Sequence, residues 1–401
     1  MKRLFLSLLL GIAIFVPQQV DGCTIPVFRY ALEKWELTPY DVLVYHHGPV
    51  PADLQKMLKT WTDAPNKANI DITVVDLDGK VSKIHQKLWD RWGKKDKGPW
   101  MLVRSQSNNA ADIPAFSGPC TAANLDTNVD SPMRQAILAH LTRGASVVYV
   151  LLTSGDKDYD REVFDMATKE LRFLEKKIKL PEQSKEGPQL KLPLPLKVSL
   201  PLLVLDRNRP EEAAFVQMLL ATEDDLEKKK GPILFPIFGR GRSLGSLYED
   251  NLTPKMVSAA TEFLCKECSC QVKDLNPGVD LLMLAHWNAH FDVMFDKKEP
   301  VAMPKVMPTK LPYPDVELKE TPKDTPKDKE TPLVGVDTPK EDTSVTPTPS
   351  QSEPPSMACD CCGAPWWCPR SNPRVLLWLA TGVAGCLVVG TGSWLAFSVR
   401  K

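Results

Sequence analysis

"SVVYVLLTSGDKDYDREVFDMATKELRFLEKKIKL", Ser146 to Leu180, decides the fold. Its opening, through Gly155, is a run of apolar and β-branched side chains closed by a glycine, the pattern of a buried strand. From Asp156 the period changes. Phe164, Ala167, Leu171, Leu174 and Ile178 recur at 3-4-3-4 spacing, one face of a helix. Acids open this segment and Lys176, Lys177 and Lys179 close it, the order that the helix dipole favours. A strand feeding a long amphipathic helix is the first half of a β-α-β crossover, so parallel strands covered by helices are expected.

The pattern continues in both directions. Downstream, "SLPLLVLD" reads as a strand and "EEAAFVQMLLATEDDLE" as a helix. "GPILFPIFG" is a strand behind Gly231-Pro232, "RSLGSLY" is a second, and "TPKMVSAATEFLC" is a helix with Thr253 as N-cap and Pro254 at N1. Upstream, "YDVLVYHHG", "PADLQKMLKTW", "IDITVVDLD" and "VSKIHQKLWDRW" alternate strand and helix. "GPWMLVRS" is a strand behind Gly98-Pro99 and "IPAFSGP" another. "SPMRQAILAHLTRG" is a helix capped by Ser131, with Gly144 past its end. Both halves read β-α-β-α-β-β-α. The second is longer, chiefly through "PEQSKEGPQLKLPLP". The expected class is α/β.

This order resembles the thioredoxin fold, twice in tandem: one unit over residues 23–144, a second over 145–299 with a cysteine-rich extension. The resemblance implies a proline, usually cis, before the third strand of each unit, at Pro99 and Pro232. It also implies where redox chemistry would sit. A thioredoxin-like site has C-x-x-C where strand one runs into helix one, because the helix N-terminus stabilises a thiolate. The matching stretches here are "HHGPVPADL" and "TSGDKDYD", and neither contains cysteine. "CTIPVFRYALEKW", "LLTSGDKDYD" and "FGRGRSLGSLY" also resemble pieces of an uncharacterised family of exported bacterial proteins, a likeness that implies no activity.

Cysteine concentrates elsewhere. "CKECSC" places Cys265, Cys268 and Cys270 after the last helix of the second unit. A helix C-terminus carries negative partial charge and raises a thiol pKa, so thiolate chemistry is disfavoured there without a metal. Cys265 and Cys268 have ligand spacing, and His286 and His290 sit four apart in "HWNAH", a set that suits zinc or copper with Cys270 as a spare. The leading reading is a set of disulfides drawn from Cys120, Cys265, Cys268, Cys270, Cys359, Cys361, Cys362 and Cys368, with no cofactor, and the metal set is the alternative. His46-His47 at a strand end is read as a surface turn. "GRGRSLG", Gly239 to Gly245, lacks the Gly-Lys-Ser/Thr ending of a phosphate loop and is read as a hairpin carrying two exposed arginines. No G-x-S-x-G or H-E-x-x-H occurs.

The ends place these units. Residues 1–22 carry Lys2 and Arg3, an apolar run and small residues before Cys23, as an export signal does. Cys23 itself is a candidate for lipidation. Residues 300–373 form a linker with 12 prolines between Pro304 and Pro355, expected to be disordered, ending in a knot around Cys359, Cys361, Cys362, Cys368, Trp366 and Trp367. Residues 374–399 include an uncharged stretch from Val375 to Val399, long enough to span a bilayer, followed by the basic tail 400–401. Fifty basic against 50 acidic residues leave no basic excess for nucleic acid. The expectation is a single-pass protein of the bacterial cell envelope with its bulk outside the cytoplasm. It binds another envelope protein or a small ligand and is not expected to be an enzyme; a thiol-redox or metal-handling protein using "CKECSC" is the alternative.

Overall fold

The computed structural model describes residues 24–62, 68–93, 98–107, 109–184, 188–268, 273–297, 304 and 308–313. The signal segment 1–22, Cys23, Cys270, the linker from 314 with its cysteines, and the apolar run at 374–399 lie outside the described residues. Among the described residues no helix is long and apolar enough to cross a membrane.

Helix α1 (Val27–Lys34) precedes β1 (Tyr40–His46), α2 (Ala52–Thr62), β2 (Ile70–Asp76), α3 (Lys83–Trp92), β3 (Trp100–Ser105), β4 (Phe116–Pro119), α4 (Ala122–Val129) and α5 (Pro132–Leu141). Four strands form one sheet in the order β2-β1-β3-β4. β1 and β2 are parallel; β3 is antiparallel to both β1 and β4. Next come β5 (Val148–Leu152), α6 (Lys157–Lys177), β6 (Leu202–Leu205), α7 (Ala213–Leu220), β7 (Ile233–Phe238), β8 (Arg242–Ser243), β9 (Leu247–Tyr248), α8 (Pro254–Cys265), β10 (Val279–Asp280) and α9 (Trp287–Lys297). The second sheet runs β10-β8-β7-β5-β6, with β9 also on β7. β5 and β6 are parallel and β7 is antiparallel to β5. The fold is a mixed α/β arrangement of two sheets.

Strand alternation explains the layering. Val42 and Val44 of β1 face one large apolar cluster; Leu43 and Tyr45 face a smaller one with Leu88, Trp89 and Trp92 of α3. Val148, Val150 and Leu152 of β5 face the same large cluster, while Val147, Tyr149 and Leu151 face a third with α1, α6 and α8. The large cluster also takes residues of α2, α4, α5, α7 and α9, so these helices lie between the sheets. Each fully buried Leu or Phe there contributes about 1.5–3 kcal/mol against exposure. This core crosses the sequence boundary at 144/145.

The caps follow their side chains. Ser131 accepts the Arg134 N–H, Thr253 that of Met256, and Asp156 those of Asp158 and Tyr159. Helix α4 is an addition to the expected order: Thr121 caps it, and Asp130-Ser131 separates it from α5. Helix α7 is shorter than the sequence suggests: a 3₁₀ turn at Pro210–Glu212 precedes it, and the chain leaves the helix after Leu220, ahead of a second 3₁₀ turn at Leu226–Lys228. Pro236 sits inside β7 without breaking it. Its carbonyl takes the Leu244 N–H, and its missing donor falls at the gap between β8 and β9.

Two expectations are corrected. The described residues contain no cis peptide bond, so Pro99 and Pro232 are trans. Trans remains favoured by about 0.5–1 kcal/mol even before proline, and the Pro99 carbonyl continues the β3–β4 ladder by accepting the Cys120 N–H. The linker's early part also has a defined place. Pro308–Tyr313 lies against β6, held by Leu311 packed on the third cluster and by Tyr313 bonded to buried Asp160.

Candidate functional site

The two strand-to-helix turns are built from polar groups that satisfy one another. His46 is buried at the end of β1 and its Nδ1 donates to the Gly48 carbonyl at 2.8 Å. His47 points outward, 2.7 Å from Asp78, whose other oxygen takes the Gly48 N–H. The His47 hydrogen bond, then that of Gly48, holds the Asp78 carboxyl below the usual range. At the second turn Asp160 is fully buried. Its Oδ1 accepts from Ser154 N and Oγ, and its Oδ2 from Gly155 N and the Tyr313 hydroxyl. A carboxylate in the first turn of α6 thus closes the loop on itself, favourably placed against the helix dipole.

The thiols lie away from both turns. Cys120 and Cys265 are buried and free, which corrects the expectation that these two join disulfides. Burial alone pushes the Cys120 thiol up to about 11 and the Cys265 thiol up to about 12. Cys265 and Cys268 sit in the apolar cluster of α1, α6 and α8, whereas Trp287 and Phe291, beside His286 and His290, belong to the cluster between the sheets. The structure does not bring the cysteines and histidines together. Among the described residues no group of three or more His, Cys, Asp or Glu converges as a metal site, and Cys270 lies outside them. The cysteines end on one face of the second sheet because α8 packs there; α9 returns to the other.

"GRGRSLG" is a tight hairpin, Phe238 pairing with Arg242, with Gly239 at φ 59° and Gly241 at φ 91°. A Cβ on Gly239 would lie 2.7 Å from that of Ala31, so the hairpin needs glycine both for its turn and for its approach to α1. Its arginines are not exposed, as the sequence suggests they are. Arg242 is buried and binds Asp280 at 2.9 Å and the carbonyls of Asn276 and Pro277. Arg240 donates to the Leu32 carbonyl at 2.9 Å and lies over the Phe291 ring. Burial lowers its pKa and Glu36 opposes that shift.

A cleft of about 480 Å³ opens beside this hairpin. Its walls are the α1–β1 connection with Glu36 and Leu37, Trp61 of α2, Asn69–Ile72 at the start of β2, Arg240, and Ala285–Asn288. Asn69 stitches the walls together. It donates to the carbonyls of Thr38 and Leu281 and accepts the Met283 N–H at 3.0 Å, and Ala68 bridges to Leu284. His286 opens α9, its Nδ1 accepting the Ala289 N–H at 3.1 Å, which leaves the proton of the neutral ring on Nε2. Burial, then the neighbouring His286, lowers the pKa of His290. The cleft therefore presents an acceptor at Glu36, donors at Arg240 and His286, and apolar surface at Trp61 and Ile70, while the Asp71 carboxylate lies on the other face of β2 and accepts from Gln106 at 3.0 Å. Its described lining has neither cysteine nor serine.

His286 is the one residue of this cleft that the sequence singles out as a ligand. Trp61, Asn69, Asp71 and Glu36 carry no spacing signal toward it, since Asn69 reaches Leu281 and Met283 across 212 and 214 residues of chain. Polar Asn69, just ahead of β2, is the one local sign. No protein-family model, no curated protein and no solved structure matches the chain.

Proposed function

We propose that the chain is an exported, membrane-anchored binding protein of the bacterial cell envelope, built on two thioredoxin-like units that have no thiol–disulfide chemistry. The order β2-β1-β3-β4, with β1 and β2 parallel and the rest antiparallel, supports the thioredoxin-like reading of the first unit. The same pairing senses among β6, β5, β7 and β9 support it for the second. One observation carries the non-redox reading: the turn opening α6 is closed around the buried carboxylate of Asp160, with no thiol in it. A carboxylate there repels a neighbouring thiolate rather than stabilising it.

The cleft between Glu36, Trp61, Arg240 and His286 is the binding site. It suits a segment of another envelope protein or a small ligand that carries both charges beside an apolar group, because donors and acceptors flank an apolar floor. The anchor and linker hold this site off the membrane.

The test compares the full chain with Trp61→Ala and Glu36→Lys variants in capture from envelope extracts, alongside thiol titration, elemental analysis and a disulfide-reduction assay. A partner retained by the wild type and lost by both folded variants is expected, with no reductase turnover. Turnover that depends on Cys265 or Cys268, or a stoichiometric zinc or copper ion, overturns the reading.

A further inference from the structure

Strand β6 pairs with β5 on one side; its other edge is open to the Pro308–Tyr313 segment. The Val204 N–H donates to the Pro308 carbonyl. Leu311 packs onto the apolar cluster of α1, α6 and α8, and the Tyr313 hydroxyl donates to Asp160 Oδ2 at 2.8 Å, its ring lying over the Lys157 ammonium. A backbone bond to a sheet edge with alternate side chains set into the surface is how strand-like peptides are bound.

The occupancy is incomplete in three ways. Pro308 and Pro312 have no N–H, so the segment cannot complete a ladder with the edge. A cavity of about 350 Å³ remains between it and the wall that includes Asp206 and Arg209. Asp160 Oδ2 keeps the Gly155 N–H when Tyr313 leaves, so departure orphans no buried carboxylate oxygen. The segment is seated but replaceable.

We propose that the open edge of β6 is a peptide-docking groove, separate from the cleft, and that Pro308–Tyr313 occupies it in cis. The partner is an extended, proline-spaced segment of another protein that presents a tyrosine to Asp160. The cis segment competes at the millimolar effective concentration of a short tether, so with its own dissociation constant at about 10–100 μM it weakens a partner by roughly 10- to 100-fold.

A labelled peptide, MPTKLPYPD, is titrated against the full chain and against a full chain in which residues 308–313 are replaced by Gly/Ser. The replaced chain should bind about tenfold or more tightly than the wild type, and a peptide with phenylalanine for tyrosine about tenfold more weakly. Tyr313→Ala in the intact chain, which leaves the rest of the segment in place, should also raise peptide affinity. Equal affinity of wild type and Tyr313→Ala, or no peptide binding by a folded replaced chain, overturns the proposal. So does a concentration-dependent dimer that the replacement abolishes, because the groove then takes this segment from a second copy.

Discussion

Replacing Asp280 by asparagine tests what joins the two sheets. Asp280 lies in β10, 2 % exposed; its Oδ1 accepts from Arg242 at 2.9 Å, and its Oδ2 accepts from the Thr38 N–H at 2.7 Å and from Lys273. Its carbonyl takes the Tyr40 hydroxyl, so one residue holds the hairpin, the α1–β1 connection and β1. Burial pushes its pKa up, but the charges of Arg242 and Lys273 outweigh that and hold it below the ordinary carboxylate value. Asparagine keeps the size and removes the charge, leaving Arg242 buried without its counter-ion. Breaking one partner of such a group costs about 3–5 kcal/mol. With a urea m-value near 3 kcal/mol/M, the midpoint falls by about 1–1.7 M. Because the folded pKa lies below the unfolded one, this stabilisation is present above about pH 4 and is lost as pH falls through the folded value. The wild-type advantage in urea should therefore shrink toward acid. Pairing Asp280→Leu with Arg242→Met should recover much of the loss. A cost under 1 kcal/mol for the single variant would falsify the role given to this cluster.

Three further outcomes follow from burial. His140 and His290 both have pKa values lowered first by burial, so the unfolded chain binds more protons near neutrality; thermal stability should drop as pH falls below about 6.5, and His140→Gln should flatten that slope. In native protein at pH 8 Cys120 and Cys265 should resist a thiol reagent and react on addition of denaturant; prompt native labelling, located by peptide mapping, contradicts their placement. Glu33 accepts from Arg29 and from the Lys191 and Leu192 amides, so Glu33→Gln should cost about 3 kcal/mol and expose residues 188–195 to limited proteolysis, read by cleavage-site mapping.

Local patterns carried much of the fold. "SVVYVLLTSG" and "DYDREVFDMATKELRFLEKK" became β5 and α6, because each element's period and caps are written within it. Ser131, Thr253 and Gly144 marked helix ends for the same reason. Helix α4 escaped notice because "AANLDTNV" has too few apolar positions to show a stripe. The "GRGRSLG" hairpin was legible as a turn, but the burial of Arg242 was not, since its counter-ion Asp280 lies 38 residues away.

By itself the sequence determined the alternation of strands and helices, the lack of cysteine in both strand-to-helix turns and the polar character of those turns. These depend on neighbours within one or two helical turns. Only the tertiary structure decided that α2, α4, α5, α7 and α9 share one core between two sheets, that Cys265 and Cys268 fall into a different apolar cluster from Trp287, and that Trp61, Asn69, Arg240 and His286 line one cleft. The reason is physical. Apolar burial has no direction and no sequence address, so which faces meet is fixed only when all the elements pack at once.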